Sequence, residues 1–211
     1  MLIVISDSDF KPDEGAVINQ LFRSGLDLFH IRKYGADEKV LSDLIEAIDP
    51  EYRKKLVLNH HHALGQKLGL KRFHYSEKDR TDWKKRNWSG LNSGYSYSTS
   101  VHSLEGYHAL PSHFSYAFLS PVFDSISKPG YQAVSFDLSK RTDTSVKLIG
   151  LGGIQADNVQ QAIDMGFDGA ALLGAIWNFE DPVHSFENIL SKIENGSFSF
   201  PLRRGTKGED F

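Results

Sequence analysis

The sequence contains no cysteine, and this absence removes several kinds of chemistry at once. It excludes disulfide bonds, thiolate metal ligands and a thiol nucleophile, and it favours a reducing compartment such as the cytoplasm. The chain also lacks an excess of positive charge, because 24 Lys and Arg stand against 27 Asp and Glu. We therefore expect no nucleic acid partner.

Long hydrophobic runs are absent as well. The N-terminal apolar run, Leu2 to Ile5, is too short for a signal peptide or a membrane span. It predicts the first strand of a cytoplasmic protein with no membrane partner. The residues that follow, 6–9, read Ser-Asp-Ser-Asp rather than a glycine-rich turn, which argues against a doubly wound dinucleotide-binding sheet.

What the chain does contain is a series of short apolar runs of strand length. The eight candidate strands are Leu2–Ile5, Leu28–Ile31, Leu56–Leu58, Arg72–Tyr75, Gly94–Tyr97, Tyr116–Leu119, Lys147–Leu151 and Gly169–Leu173. Stretches with apolar residues at helical spacing, such as 159–165 and 182–193, separate most of them. This alternation predicts a single α/β domain, a (β/α)8 TIM barrel over residues 1–198, with an open doubly wound sheet as the alternative. The polar stretch 199–211 is expected to be a flexible tail.

Ligands of such a barrel bind at the C-terminal ends of the strands. Period-two spacing places His30, Arg32 and Tyr34 on one side of the second strand, with Arg32 near its end. The planar guanidinium of Arg32 could hold two oxygens of a phosphate or pyrophosphate. A surface salt bridge is the other interpretation.

Acidic and hydroxyl groups follow the later strands. Asp79 lies beyond the fourth strand, where it could bind a hard cation such as Mg²⁺ or simply cap the next helix. Ser100 lies in a hydroxyl-rich run that could bond a polar heterocycle or a phosphate. The long loop 120–135 offers Lys128 as a cation, and a loop of this length favours a binding role.

Two glycine-bearing loops give the most specific local pattern. Residues 150–154 read Gly-Leu-Gly-Gly-Ile after the seventh strand, and residues 172–176 read Leu-Leu-Gly-Ala-Ile after the eighth. These two loops usually form the phosphate site of a TIM barrel, where backbone N–H groups approach the ligand closely. Glycine can also simply turn a chain, but two such loops in the right units favour phosphate binding.

Taken together, these segments resemble the thiamine phosphate synthase family, including its thiazole tautomerase branch. The similarity is carried, in order, by residues 29–32, 55–59, 74–79, 100–105, 120–130 and 150–154. The resemblance implies that the chain couples hydroxymethylpyrimidine diphosphate to thiazole phosphate and releases pyrophosphate, with Mg²⁺ on the diphosphate. The alternatives are a tautomerase-like enzyme of thiamine metabolism and a non-catalytic protein that binds phosphorylated ligands; a homo-oligomer is also left open.

The resemblance assigns roles to single positions. Catalysis falls to Arg32, Lys128 and Ser100, and Mg²⁺ binding to Asp79. Substrate binding is assigned to His30, Arg32, Asn59, Ser100, Ser125, Lys128, Gly153, Leu173 and Gly174. Of these, Arg32 and Lys128 would hold the diphosphate, and the last three with Ser125 would surround the thiazole phosphate.

Several positions depart from the family pattern. His30 stands where the family has a glutamine that reads the pyrimidine, and Tyr34 where it has a lysine. His60 replaces a metal-binding aspartate, and imidazole is a poorer partner for Mg²⁺ than a carboxylate. Pro121 occupies the position of the proton-transferring histidine of the tautomerase branch, so that a proton shuttle would have to come from His30 or His102.

Overall fold

The computed structural model describes residues 1–85, 91–124, 133–142 and 145–194, and these form a closed barrel of eight parallel strands in sequential order. The strands are β1 (Leu2–Ile5), β2 (Leu28–Ile31), β3 (Leu56–Leu58), β4 (Arg72–Tyr75), β5 (Ser96–Val101), β6 (Phe114–Leu119), β7 (Lys147–Leu151) and β8 (Gly169–Leu172). Pairing of β1 with β8 closes the barrel, with Ile3 opposite Ala171. The predicted TIM barrel is therefore confirmed.

Helices in the described residues cover the outside of the barrel. They are α1 (Glu14–Arg23), α2 (Glu38–Glu46), α3 (Pro50–Arg53), α4 (His62–Lys67), α5 (Glu77–Lys85), α6 (Leu104–His108), α7 (Val159–Asp164), α8 (Gly174–Trp177) and α9 (Pro182–Glu194). A short 3-10 turn, Leu138–Lys140, precedes β7. No helix in these ranges is long and apolar enough to cross a membrane. The predicted tail 199–211 lies outside the described residues.

Helix α2 shows how local sequence determines these elements. The side chain of Asp37 caps its N-terminus by accepting hydrogen bonds from the backbone N–H groups of Lys39 and Val40. Leu41, Leu44 and Ile45 follow at helical spacing and are the residues that the helix buries. The cap and the apolar stripe therefore fix both the start of the helix and the face that packs on the barrel.

Apolar side chains form two separate layers. The inside of the barrel holds one cluster, which consists of Ile3, Ile5, Leu28, Val57, Tyr116, Phe118, Ile149 and Ala171. A larger cluster fills the space between the strands and the helices and includes Leu21, Phe29 and Phe186. Each large side chain buried there contributes roughly 1.5–3 kcal/mol through the hydrophobic effect. The interior cluster forms the floor on which the candidate site rests.

The fifth strand differs from the prediction. It was expected at 94–97, but β5 begins two residues later and extends to Val101. Its outward side chains, such as Tyr97 and Val101, belong to the outer cluster, whereas Ser98 and Ser100 contact His74 inside the barrel. Ser100 therefore lies on a strand rather than in the following loop.

Candidate active site

A cavity of about 710 Å³ opens at the C-terminal ends of the strands. Its floor is apolar and includes Ile5, Phe118 and Ala171, which belong to the interior cluster. Polar side chains and loop backbone from strands all around the barrel form its walls. A cavity of this volume is typical of small-molecule sites.

The structure brings most of the predicted site residues together. The cavity is lined by Arg32, Asn59, His60, Ser100, Gly153, Leu173 and Gly174. His30 is buried below the cavity, and Asp79 lines a smaller neighbouring cavity. The predicted Ser125 and Lys128 lie outside the described residues.

Two of the departures from the family pattern contact each other beside Arg32. The rings of Tyr34 and His60 are 4.0 Å apart between centroids, at an angle of 43°. The Arg32 guanidinium carbon lies 4.6 Å from the centroid of the Tyr34 ring. This cation–π contact orients the guanidinium at the cavity wall and leaves its N–H groups available to an anion.

Asp79 has a structural role at the start of α5. Its Oδ2 accepts hydrogen bonds from the Ser76 hydroxyl at 2.6 Å and from the Ser76 backbone N–H at 3.3 Å. Its own backbone N–H donates to Ser76 Oγ at 3.2 Å, which completes a reciprocal cap. The capping interpretation of Asp79 is thus confirmed, and only its Oδ1 lies outside the cap.

The same region offers few metal ligands. The second cavity, of about 350 Å³, is lined by both Asp79 and His60 and shares Asn59 and His60 with the main cavity. Burial, followed by the neighbouring His62, lowers the pKa of His60, so that its imidazole is neutral at pH 7 and offers nitrogen rather than oxygen. No group of three His, Asp or Glu side chains that could hold a metal is found within the described ranges. The fit to Mg²⁺ rests on one free carboxylate oxygen of Asp79.

The glycine loops form the wall opposite β3. Gly153 has φ 65°, and a Cβ placed on it would lie 2.5 Å from the carbonyl oxygen of Asp124. Asn158 Nδ2 donates to the Gly153 carbonyl oxygen at 2.8 Å and fixes the turn. Helix α8 begins at Gly174; the N–H groups of Ile176 and Trp177 donate to the Leu173 carbonyl oxygen, which leaves those of Gly174 and Ala175 to face a ligand. Backbone donors are therefore concentrated on this side of the cavity.

His30 does not line the cavity where the family reads its pyrimidine. Its side chain is fully buried, with Nδ1 at 2.9 Å from Asn59 Oδ1 and Nε2 at 2.6 Å from the Tyr116 hydroxyl. Burial lowers the pKa of His30 to about 3, which keeps the imidazole neutral. His102, the other predicted proton shuttle, is also absent from the cavity lining and bonds through Nδ1 to the Ser120 carbonyl oxygen at 3.1 Å. Neither histidine is placed to contact a substrate directly.

The sequence interpretation missed several lining residues. Asp7 and Ser8 follow β1, His74 lies on β4 and Trp177 ends α8. The strand-end rule could have found the first two, and period-two spacing before Ser76 could have found His74. Trp177 reaches the cavity because its Nε1 donates to the Ile5 carbonyl oxygen at 2.7 Å, a contact that no local pattern indicates.

Known proteins of similar sequence support the resemblance to the thiamine phosphate synthase family. Residues 1–176 match the family model described as thiamine monophosphate synthase. The thiamine-phosphate synthase of Desulfitobacterium hafniense is 25% identical over 187 residues, which cover 84% of this chain and 88% of the relative. That of Bacillus velezensis is 23% identical, with 97% of this chain and 91% of the relative covered.

A solved structure has the same architecture. The thiamine phosphate pyrophosphorylase of Bacteroides thetaiotaomicron superimposes with a TM-score of 0.73 at 24% identity, covering 92% of this chain and 97% of the other. This likeness concerns the fold, whereas the family model covers most of the barrel, including β7 and β8 with the glycine loops. The chain therefore belongs to the thiamine monophosphate synthase family.

Proposed function

We propose that this chain is a thiamine phosphate synthase, a transferase that joins hydroxymethylpyrimidine diphosphate to thiazole phosphate and releases pyrophosphate. The proposal rests on one observation: a single cavity has an arginine wall on β2 and β3 and a backbone-donor wall on β7 and β8. In an eight-stranded barrel β3 and β7 face each other, so that two anionic ligands can bind from opposite sides. The small heterocycles would meet above the apolar floor.

Each wall suits a different anion. Arg32 presents a planar set of donors suited to the oxygens of a diphosphate. Gly153 and the start of α8 present backbone N–H groups suited to a phosphate monoester. We assign the pyrimidine diphosphate to the first wall and the thiazole phosphate to the second, with Lys128 and Ser125 kept as predictions from the family resemblance.

The chemistry proposed needs little proton transfer. The carbon–oxygen bond to the diphosphate breaks, and the pyrimidine methylene cation is captured by the thiazole nitrogen. The chain's contribution is to hold both ligands in line and to stabilise negative charge on the leaving group through Arg32. The apolar floor excludes water that would otherwise capture the cation.

We also propose that Mg²⁺ takes part, and that Asp79, which lines the cavity adjoining the Arg32 wall, would hold it together with the diphosphate. Mg²⁺ often binds through one or two carboxylates together with substrate phosphates, so a single carboxylate is sufficient. When bound, the ion would neutralise charge on the pyrophosphate. His60 is not assigned as a ligand. We place the reaction in the cytoplasm, in keeping with the cysteine-free composition.

The test is pyrophosphate release from hydroxymethylpyrimidine diphosphate plus thiazole phosphate, with and without Mg²⁺. Arg32→Ala should lower kcat/KM by about 100-fold or more, because a charge-assisted contact to the leaving group is lost. Arg23→Ala is the matched control, since Arg23 pairs with Asp49 on an exposed surface of α1. Wild-type protein that releases no pyrophosphate but exchanges a proton on thiazole carboxylate phosphate would overturn the proposal in favour of a tautomerase.

A further inference from the structure

The barrel interior contains a line of buried polar side chains beneath the cavity. They come from five consecutive strands or their ends and are His30, Asn59, His74, Ser98, Ser100 and Tyr116. Only Asn59, His74 and Ser100 reach the cavity. The other members are at most 3% exposed, so their hydrogen bonds must be satisfied by one another.

The line consists of two hydrogen-bonded segments. In the first, His30 links Asn59 Oδ1, at 2.9 Å from Nδ1, to the Tyr116 hydroxyl, at 2.6 Å from Nε2. In the second, His74 links Ser98 Oγ, at 2.9 Å from Nδ1, to Ser100 Oγ, at 3.1 Å from Nε2.

The two segments lie against each other inside the barrel. Ser98 and Tyr116 are paired in the register of β5 and β6. The imidazole rings of His30 and His74 contact each other, with centroids 5.3 Å apart. The segments are therefore packed together, with Asn59 and Ser100 at the cavity.

Counting hydrogens gives the first segment a direction. A neutral imidazole has one N–H and one acceptor nitrogen, and an amide oxygen can only accept. Because Asn59 Oδ1 accepts from His30 Nδ1–H, His30 Nε2 must accept the hydrogen of Tyr116. In the second segment one ring nitrogen of His74 donates and the other accepts, so that His74 holds both Ser98 and Ser100.

We propose that His30 is a positioning residue that fixes Asn59 as a hydrogen-bond donor at the cavity wall. With Oδ1 bonded to His30, the Nδ2 amide is the group that Asn59 offers to a ligand. This donor complements a ring nitrogen beside the exocyclic amino group of an aminopyrimidine; this ligand assignment rests on the proposed function.

The inference also explains how His30 can stand in place of the family's glutamine. A glutamine there would read the pyrimidine itself, whereas the rigid, buried imidazole acts through Asn59. In this chain Asn59, rather than the residue at position 30, would contact the pyrimidine.

The first experiment tests the network without using activity. NMR spectra of the imidazole nitrogens in ¹⁵N-labelled wild-type protein at pH 7 report which nitrogen of each histidine is protonated, and His30→Gln and His74→Gln assign the two signals. His30 is expected to be neutral with the proton on Nδ1. A proton on Nε2 of His30 would overturn the inference, whatever the protein catalyses.

The second experiment removes the hydroxyl that holds His30. Tyr116→Phe keeps the ring and removes the hydroxyl, and Tyr97→Phe is the matched control, because the buried Tyr97 hydroxyl accepts from the Asn92 backbone N–H outside this network. Tyr116→Phe should raise KM for the pyrimidine diphosphate about tenfold, change kcat less than about threefold and leave KM for the thiazole phosphate unchanged.

A substrate analogue isolates the recognised atom. The pyrimidine diphosphate with carbon in place of the ring nitrogen beside the amino group should bind wild type about tenfold more weakly, and Tyr116→Phe should show no further loss with it. An equal KM increase with both substrates would overturn the positioning role. A proton on Nδ1 of His30 in an inactive wild-type protein would instead uphold the positioning role and reject the proposed function.

Discussion

A buried ion pair beside the cavity allows a quantitative prediction. Lys33 Nζ lies 2.8 Å from Glu14 Oε2, and both side chains are 1% exposed. Lys33 Nζ also donates to the Asp9 carbonyl oxygen at 2.7 Å and lies 4.7 Å from the centroid of the Phe10 ring. Lys33 thereby fastens the β1–α1 loop, which carries Asp7 to the cavity wall.

Replacing Lys33 by Met should lower the free energy of unfolding by about 3–5 kcal/mol, the usual cost of leaving one partner of a buried pair without the other. The large value follows because Glu14 Oε1 already has no hydrogen-bond partner and Oε2 accepts, besides Lys33, the Lys11 backbone N–H at 3.2 Å, so that Lys33 supplies the charge that compensates this carboxylate. The double variant Lys33→Met/Glu14→Leu should recover most of the loss, because both desolvated charges are then gone.

Urea denaturation at pH 7, followed by fluorescence and circular dichroism, measures these differences. Lys39→Met is the matched control: its partner is Asp43, the two side chains are 83% and 61% exposed, and the expected change is below about 0.5 kcal/mol. A loss of less than about 1 kcal/mol in Lys33→Met, or a double variant no more stable than the single one, would refute the reasoning.

Three further predictions concern the cavity. Gly153→Ala should lower the free energy of unfolding by about 1–3 kcal/mol and raise KM for the thiazole phosphate, because the added Cβ meets the Asp124 carbonyl oxygen. Gly35→Ala is the control, since Gly35 has φ 63° with open space around it, and it should cost less and leave KM unchanged. The same urea and kinetic assays measure both variants. His60→Asp should lower the Mg²⁺ concentration for half-maximal pyrophosphate release by about tenfold, and an unchanged Mg²⁺ titration would contradict the proposed Asp79 site. His30 alone should lower the free energy of unfolding by about 2–3 kcal/mol as the pH drops from 6.5 to 4.5. Burial lowers its pKa to about 3, so that in this pH range the unfolded chain binds a proton that the folded chain does not. His30→Gln should therefore show a shallower pH dependence in urea titrations at acid pH.

The fold could be predicted largely from the sequence, and the reason lies in the buried strands. β2 and β7 have the predicted bounds because each contains a short apolar run that is buried on both faces of the strand. β5 was displaced because its inner face is built of serines that bond His74, so that it lacks the continuous apolar run by which the other strands were recognised.

Depth along a strand explains what could not be predicted of the site. Period two correctly placed His30 and Arg32 on the same face of the barrel, but two residues along a strand are roughly 6.5 Å apart, enough to separate the cavity wall from the layer below it. The capping role of Asp79 was predictable from Ser76-x-x-Asp79, whereas its distance from His60 depended on the packing of two loops.

The departures from the family pattern act as a set rather than as independent losses. The tilted rings of Tyr34 and His60 contact each other, and the Arg32 guanidinium lies over the Tyr34 ring, so the two replacements and Arg32 form one set of contacts. His30 in turn bonds Asn59, the residue just before His60. Neighbouring groups couple by about 0.5–3 kcal/mol, so His60→Asp loses the ring contact with Tyr34 while it adds a carboxylate ligand. The tenfold decrease in Mg²⁺ requirement expected from His60→Asp is therefore a lower bound, and the full effect of the carboxylate requires Tyr34→Lys in the same chain.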